Sequence, residues 1–148
     1  MSKPTLDVLG IGNAIVDILV QTDEAFLIEN GLIKGTMTLV SSDDQRDLYE
    51  KTGQAIESSG GSASNTLAGV AALGSRAAFA GKVNKDQLGR VFGHDIRAAS
   101  VTYETKMSID GAPTATCLVL ITPDGQRTMQ TFLGACLEFS VDDLDIEQ

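Results

Sequence analysis

The sequence predicts a mainly parallel α/β core with a smaller β-rich appendage, and three features of the chain carry that expectation. Short apolar runs closed by glycine alternate with helix-patterned segments through the N-terminal two thirds, the order expected of parallel strands joined by crossover helices. The C-terminal third is β-like, with DGAP at 110–113 and PDGQ at 123–126 as turns between hairpin-like segments. No repeat or low-complexity linker interrupts the 148 residues, so they fit one unit of ordinary size whose 43% hydrophobic content can build a core.

In chain order, LDVLGIG at 6–12 is a short apolar run ending in glycine and suits a buried parallel strand. VDILVQT at 16–22 follows almost at once, so the chain is expected to leave one sheet after Asn13 and enter another. DEAFLIENGL at 23–32 reads as a short helix with acidic residues in its first turn, and TMTLV at 36–40 as a strand. SSDDQRDLYEKTGQAI at 41–56 reads as a helix capped by Ser42 or Asp43. The stretch ESSGGSASNTLAGVAALG at 57–74 then sets a glycine pair ahead of a helix in which Leu67, Val70, Ala71 and Gly74 fall at helical spacing. Ser62 or Ser64 serves as its cap and Gly74 as its terminator. RAAFAGKV at 76–83 is a strand, and DQLGRVFGHDIRAAS at 86–100 is a helix that keeps Leu88, Val91, Phe92 and Ile96 near one face. VTYETKMSI at 101–109, ATCLVLIT at 115–122 and RTMQTFLGA at 127–135 complete the β-like remainder.

The formal net charge of −9 excludes broad electrostatic attraction to nucleic acid or to an anionic membrane, leaving a small anionic ligand held by local groups as the remaining case. Cys117 and Cys136 form no C-x-x-C pair, so neither a disulfide framework nor a zinc site is indicated, and buried structural thiols are expected. Asp7, Asn13 and Asp17 break the N-terminal apolar stretch well short of the roughly 20 residues that a membrane span requires. The chain is expected to be soluble and cytoplasmic.

GIGNAIVD at 10–17 follows a strand, but Ile15 stands where a dinucleotide fingerprint needs its third Gly or Ala, and the next segment is strand-like rather than helical. No G-x-x-x-x-G-K-[ST] loop occurs. What remains is Asn13 and Asp17, polar side chains at the outgoing end of an apolar first strand, the end where open α/β sheets bind ligands. Taken alone they read more simply as turn chemistry and a solvated strand edge. Gly60-Gly61 changes that reading, because a glycine pair ahead of a helix permits positive φ and leaves backbone N–H groups open to a ligand. Asn65, one turn into that helix, faces the same space. Carboxylate, amide and bare backbone suit a polyhydroxylated ligand, since each sugar hydroxyl both donates and accepts. A sugar ring is therefore expected to lie against the two glycines.

On GNAIVD at 12–17, SGGSASNTLAGVAALG at 59–74 with AFAGKVNKDQLG at 78–89, and PDGQRTMQTFLGA at 123–135, the chain resembles the N-terminal part of the ribokinase/PfkB family of carbohydrate kinases, most closely the adenosine-kinase-like branch. The resemblance implies a Rossmann-like ribokinase fold with a β-sheet lid built around residues 15–21, 36–40, 102–109 and 114–122. Residues 1–148 would form the N-terminal part of one such domain, with lid segments at about 15–40 and 102–122 interleaved. It further implies sugar-hydroxyl contacts from Asn13, Asp17, Gly60, Gly61 and Asn65, and an arginine near the phosphates at Arg127, which otherwise reads as a solvated turn residue. Met129, Thr131 and Leu133 share one face of their strand by the two-residue period, and with Leu39 they are expected to cover a base or sugar; ordinary core packing is the alternative. Where members often carry glycine, this chain has Asn84, whose tolerance of the left-handed region would preserve the turn.

The implied activity is transfer of the ATP γ-phosphoryl group to a primary hydroxyl of a nucleoside or sugar. ATP and Mg2+ would be held mainly by a C-terminal half that this chain lacks, together with the G-A-G-D general base and the Asn-x-x-Glu segment. No catalytic base and no metal ligand set is expected within residues 1–148, and the strand at 127–133 is expected to have an unpaired apolar edge. The competing expectation is a non-catalytic binding or dimerisation module, partnered by a second copy through lid strands or by the complementing C-terminal half. His94 is assigned to structure or surface, and Lys82 mainly to solvent.

Overall fold

The computed structural model describes residues 5–144, so the two ends of the expected 1–148 unit lie outside the described residues. Along it run β1 (Val8–Ile11), β2 (Ile15–Gln21), α1 (Glu24–Glu29), β3 (Met37–Leu39), α2 (Ser42–Tyr49), β4 (Ala55–Gly60), α3 (Ser62–Ala72), β5 (Ala77–Ala80), α4 (Gln87–Ala98), β6 (Val101–Tyr103), β7 (Ala115–Ile121) and β8 (Arg127–Phe132). Two 3-10 turns, Gly134–Glu138 and Val141–Asp143, follow.

These strands form two sheets. A parallel three-stranded sheet has the order β1-β5-β6, and a mixed five-stranded sheet has the order β3-β8-β7-β2-β4. The chain does change sheets after Asn13. α3 and α4 close the first core, in which Ala14, Val16, Leu67, Val83 and Ile96 surround the Phe79, Phe92 and Tyr103 rings at centroid separations of 5.7, 6.0 and 5.3 Å. The Tyr103 hydroxyl donates to the Gly81 carbonyl at 2.9 Å, which removes the cost of burying it.

A second core lies behind the five-stranded sheet, where Ile18, Val20, Leu118 and Leu120 pack on Leu27 of α1 and Leu48 of α2. Gln45 pins α2 there: its amide nitrogen donates to the carbonyls of Thr116 at 3.1 Å and Gln130 at 2.7 Å, and its amide oxygen accepts the Thr116 hydroxyl. Gln45→Ala would leave a buried hydroxyl and carbonyls short of partners, so it should destabilise the protein by about 1–3 kcal/mol, measured by urea unfolding.

Several expectations are corrected. α2 ends at Tyr49, and residues 55–60 form a strand, antiparallel to β2, rather than a helix tail and a loop. Their polar sequence hides a strand because β4 is a sheet edge with little to bury. Ser41 caps α2, accepting the Asp44 N–H at 3.1 Å. Gly61 is the N-cap of α3 and supplies no side-chain bond, while the Ser64 hydroxyl donates back to the Gly61 carbonyl at 2.8 Å. Gly74 ends that helix with φ +91°, as expected.

The five-stranded sheet gathers the expected lid segments at 15–21, 36–40 and 114–122, but residues 102–109 do not belong to it. β6 joins the parallel sheet instead, because buried Val101 and Tyr103 complete the core against Phe92 and Ile96. β4 and β8 take part in the lid in its place. β8 lies between β3 and β7, so residues 127–132 have no free edge. Open edges among the described strands fall instead on β1, where Val8, Leu9 and Ile11 are exposed, and on β3, β4 and β6.

Asn84 is not left-handed. Ser100 is the one non-glycine residue with positive φ among the described residues. The Asn84 amide donates to the carbonyls of Gly111 at 3.2 Å and Ala112 at 2.9 Å, and its own carbonyl sits where a side chain on Gly89 would be. Asp86 caps α4 through the Gly89 N–H at 2.7 Å and also accepts the Thr114 N–H at 2.9 Å. The NKDQLG block therefore fastens the loop that leads from the core into β7.

Candidate substrate site on the lid face and the glycine loop

Strand pairing assembles the site. Asp17 is in register with Ser58 of β4 on one side and Cys117 of β7 on the other; Cys117 pairs with Thr131 of β8, and Thr131 with Leu39 of β3. Residues directly opposite across a ladder point to the same face, so Leu39, Thr131, Cys117, Asp17 and Ser58 form one row across the sheet. The next row on that face holds Met37, Met129, Val119, Leu19 and Ile56. Arg127 follows one step further, opposite Ile121. Arg127, Met129, Thr131, Leu39 and Asp17, chosen from separate stretches of sequence, thus share a face. Leu133 does not lie on β8: it is one residue past the strand and caps the first 3-10 turn, where the two-residue period no longer operates.

Asp17 is half-buried and its carboxylate accepts no hydrogen bond from any described residue. Burial pushes its pKa above the ordinary carboxylate range, and the Arg127 guanidinium pulls it back only in part. The carboxylate is seated over Gly60, where a side chain would overlap it. Gly61 has φ +95°, and a Cβ there would fall 2.5 Å from the Asn13 carbonyl oxygen. On the side where a Cβ would stand, the chain's own Asp17 carboxylate and Asn13 carbonyl fill the space beside the two glycines.

Asn13 and Asn65 are exposed, and neither side chain makes a hydrogen bond with a described residue; the Asn65 N–H bonds the Gly61 carbonyl at 2.9 Å. Arg127 is exposed and forms no ion pair with a described residue. One carboxylate and one guanidinium thus share a partly apolar sheet face without fixed partners, and the amides of Asn13, before β2, and Asn65, on α3, are likewise unpartnered among the described residues. That arrangement can accept from and donate to neighbouring hydroxyls, with a cation nearby.

Sequence reasoning missed Ser58 and the placement of Cys117. Cys117 is buried as expected, but on the row of Asp17, where it accepts the Thr131 hydroxyl at 3.3 Å. Burial is the main cause raising its pKa, so it stands as a neutral thiol. No alternation betrayed its face, since β7 is buried on both sides. Lys82 is not solvated: it pairs with Asp143, both largely buried. His94 is exposed, 2.9 Å from Asp95, in keeping with a surface role. Among the described residues no group of three or more His, Cys, Asp or Glu could hold a metal, and no helix is long and apolar enough to cross a membrane.

Residues 33–148 match the family model described as pfkB family carbohydrate kinase. The chain is 53% identical to the solved adenosine kinase of Sinorhizobium meliloti, with a TM-score of 0.90 over 96% of this chain and 43% of that one. It is 48% identical to a probable sugar kinase of Rhizobium etli CFN 42, with a TM-score of 0.90 over 95% of this chain and 42% of that one. Probable fructokinase-6, chloroplastic, of Arabidopsis thaliana is 26% identical over 88 residues, 60% of this chain and 23% of that protein. The chain spans less than half the length of these relatives. With that match, the ribokinase-type fold and the signature motifs in agreement, the chain belongs to the pfkB family of carbohydrate kinases.

Proposed function

We propose that this chain supplies the substrate-holding part of a cytoplasmic ATP-dependent kinase that phosphorylates a primary hydroxyl of a nucleoside or sugar, adenosine being the favoured nucleoside. The observation that carries the reading is Asp17: a half-buried carboxylate without a hydrogen-bond donor is costly unless a ligand supplies one, and vicinal hydroxyls supply two. The similarity to an adenosine kinase supports the choice of nucleoside. Asn13 and Asn65 complete the hydroxyl contacts. Gly60 and Gly61 act by giving Asp17 and Asn13 their seats. Leu39, Met129 and Thr131 line the base or sugar, and Leu133 extends that wall from the turn beyond β8.

ATP supplies the phosphoryl group when bound. Arg127, unpaired and on the Asp17 face, fits a role of offsetting phosphoryl charge. Mg2+ would screen the phosphates when bound, and no residue of this chain is assigned to it in this reading. Asp17 is read as a hydroxyl-binding group and not as the general base, and no other described residue is assigned that role. Residues 1–148 alone are accordingly expected to produce no phosphate ester from MgATP and a panel of nucleosides and sugars, assayed by mass spectrometry; robust turnover would refute that. A second reading, a module completed by another chain, is favoured by the open apolar edge of β1.

Calorimetry against adenosine, ribose and fructose tests the reading, which fails if none binds. Binding should also depend on pH. A hydroxyl-donating ligand favours the ionised carboxylate, so affinity should be flat at high pH and fall as pH drops through the raised pKa of Asp17, earlier than for an ordinary carboxylate. Asp17→Asn should flatten the profile. Folding stability should move the opposite way: the cost of the buried charge is fully present above that pKa and is relieved as pH falls towards the ordinary carboxylate range.

A further inference from the structure

We infer that Asp95 of α4 is a positioning residue for the Asp17 site, a bracket that holds the lid's edge strand against the core; this rests on the functional reading above. β4 is the last strand of the lid sheet, so its outer row of backbone groups has no strand partner. Asp95 reaches across from the core and accepts the Ser59 N–H on Oδ2 at 3.2 Å. Its Oδ1 is 2.9 Å from Nδ1 of His94. The helix behind this carboxylate is rigid, because Phe92 and Ile96, on the same side of α4, are buried in the first core.

The position on β4 is what matters for the site. Ser59 lies between Ser58, in register with Asp17, and Gly60, over which the Asp17 carboxylate is seated. One residue later Gly61 turns the chain into α3, which carries Asn65. A bond at Ser59 therefore sets the separation between the lid residue Asp17 and the core residue Asn65, neither of which it touches. Without it, β4 is held to the core by the hydrogen bond that the Ser64 hydroxyl of α3 donates to the Gly60 carbonyl, by van der Waals packing and by chain connectivity, none of which fixes the Ser59 N–H. Asp95 also occupies an edge N–H that a foreign strand would otherwise use.

The test has two arms on the same variants, Asp95→Ala, Asp95→Asn and Asp17→Ala. By amide hydrogen exchange, Asp95→Ala should speed exchange at Ser59 about tenfold while β7 amides in the sheet interior stay protected. Asn retains an acceptor oxygen and should restore most of the protection. By calorimetry with adenosine, Asp95→Ala should weaken binding about fivefold, with Asp95→Asn within about twofold of wild type. Unchanged exchange at Ser59, or unchanged adenosine affinity in Asp95→Ala, would overturn the inference. Failure of the functional reading looks different: Asp17→Ala would then leave affinity unchanged whatever Ser59 does.

Discussion

Asp17→Ala is expected to weaken binding of a nucleoside or sugar by about 1.5–3 kcal/mol, the scale of hydrogen bonds to a charged group, or roughly ten- to 150-fold in Kd. The same substitution should not lower stability. Removing a half-buried carboxylate that accepts no hydrogen bond from the chain relieves desolvation, so the midpoint of unfolding should hold or rise. Opposite signs in calorimetry and denaturation separate a ligand-holding carboxylate from a structural one. A structural Asp17 would lose stability on truncation, and its loss would leave affinity at wild type.

Gly61→Val should be the most damaging single change at the site. A φ of +95° is one that L-residues rarely adopt, and the added Cβ would press on the Asn13 carbonyl at 2.5 Å. Strain and displaced backbone together should destabilise the protein by about 2–4 kcal/mol and abolish ligand binding, because Asn13 and the start of α3 move together. Gly74 is the internal control: its φ is +91° but nothing lies within 4 Å of its added Cβ. Gly74→Ala should show the conformational penalty alone, about 1–2 kcal/mol. Gly61→Ala should exceed it, and the difference measures the close approach of Asn13. Equal losses at the two positions in urea unfolding would show that the Asn13 contact yields freely.

Element type was legible wherever one local pattern dominated. Glycine-closed apolar runs marked β1 and β5 as strands, although β1, expected to be buried, exposes Val8, Leu9 and Ile11; the spacing of Phe92 and Ile96 marked α4, because burial on one face of a helix imposes its own period. Asp17, Asn65 and the glycine pair stood out as a candidate site for the converse reason: polar or bare positions among apolar neighbours are costly unless used. β4 was not legible, since an edge strand of polar residues buries little and leaves no period.

Sheet membership and facing were decided only in three dimensions. Nothing local tells that β6 pairs with β5 while β7, a few residues on, pairs with β2; that choice follows from whether Tyr103 or Leu118 fits the aromatic core around Phe79 and Phe92. Cys117 stands beside Asp17 because of register, and register between distant strands depends on the packing of both cores. The reason for Gly60 and Gly61 belongs to the same class. Their sequence declares that something must come close, and the tertiary structure puts the Asp17 carboxylate and the Asn13 carbonyl on the side where a Cβ would stand, brought there by the antiparallel pairing of β2 with β4.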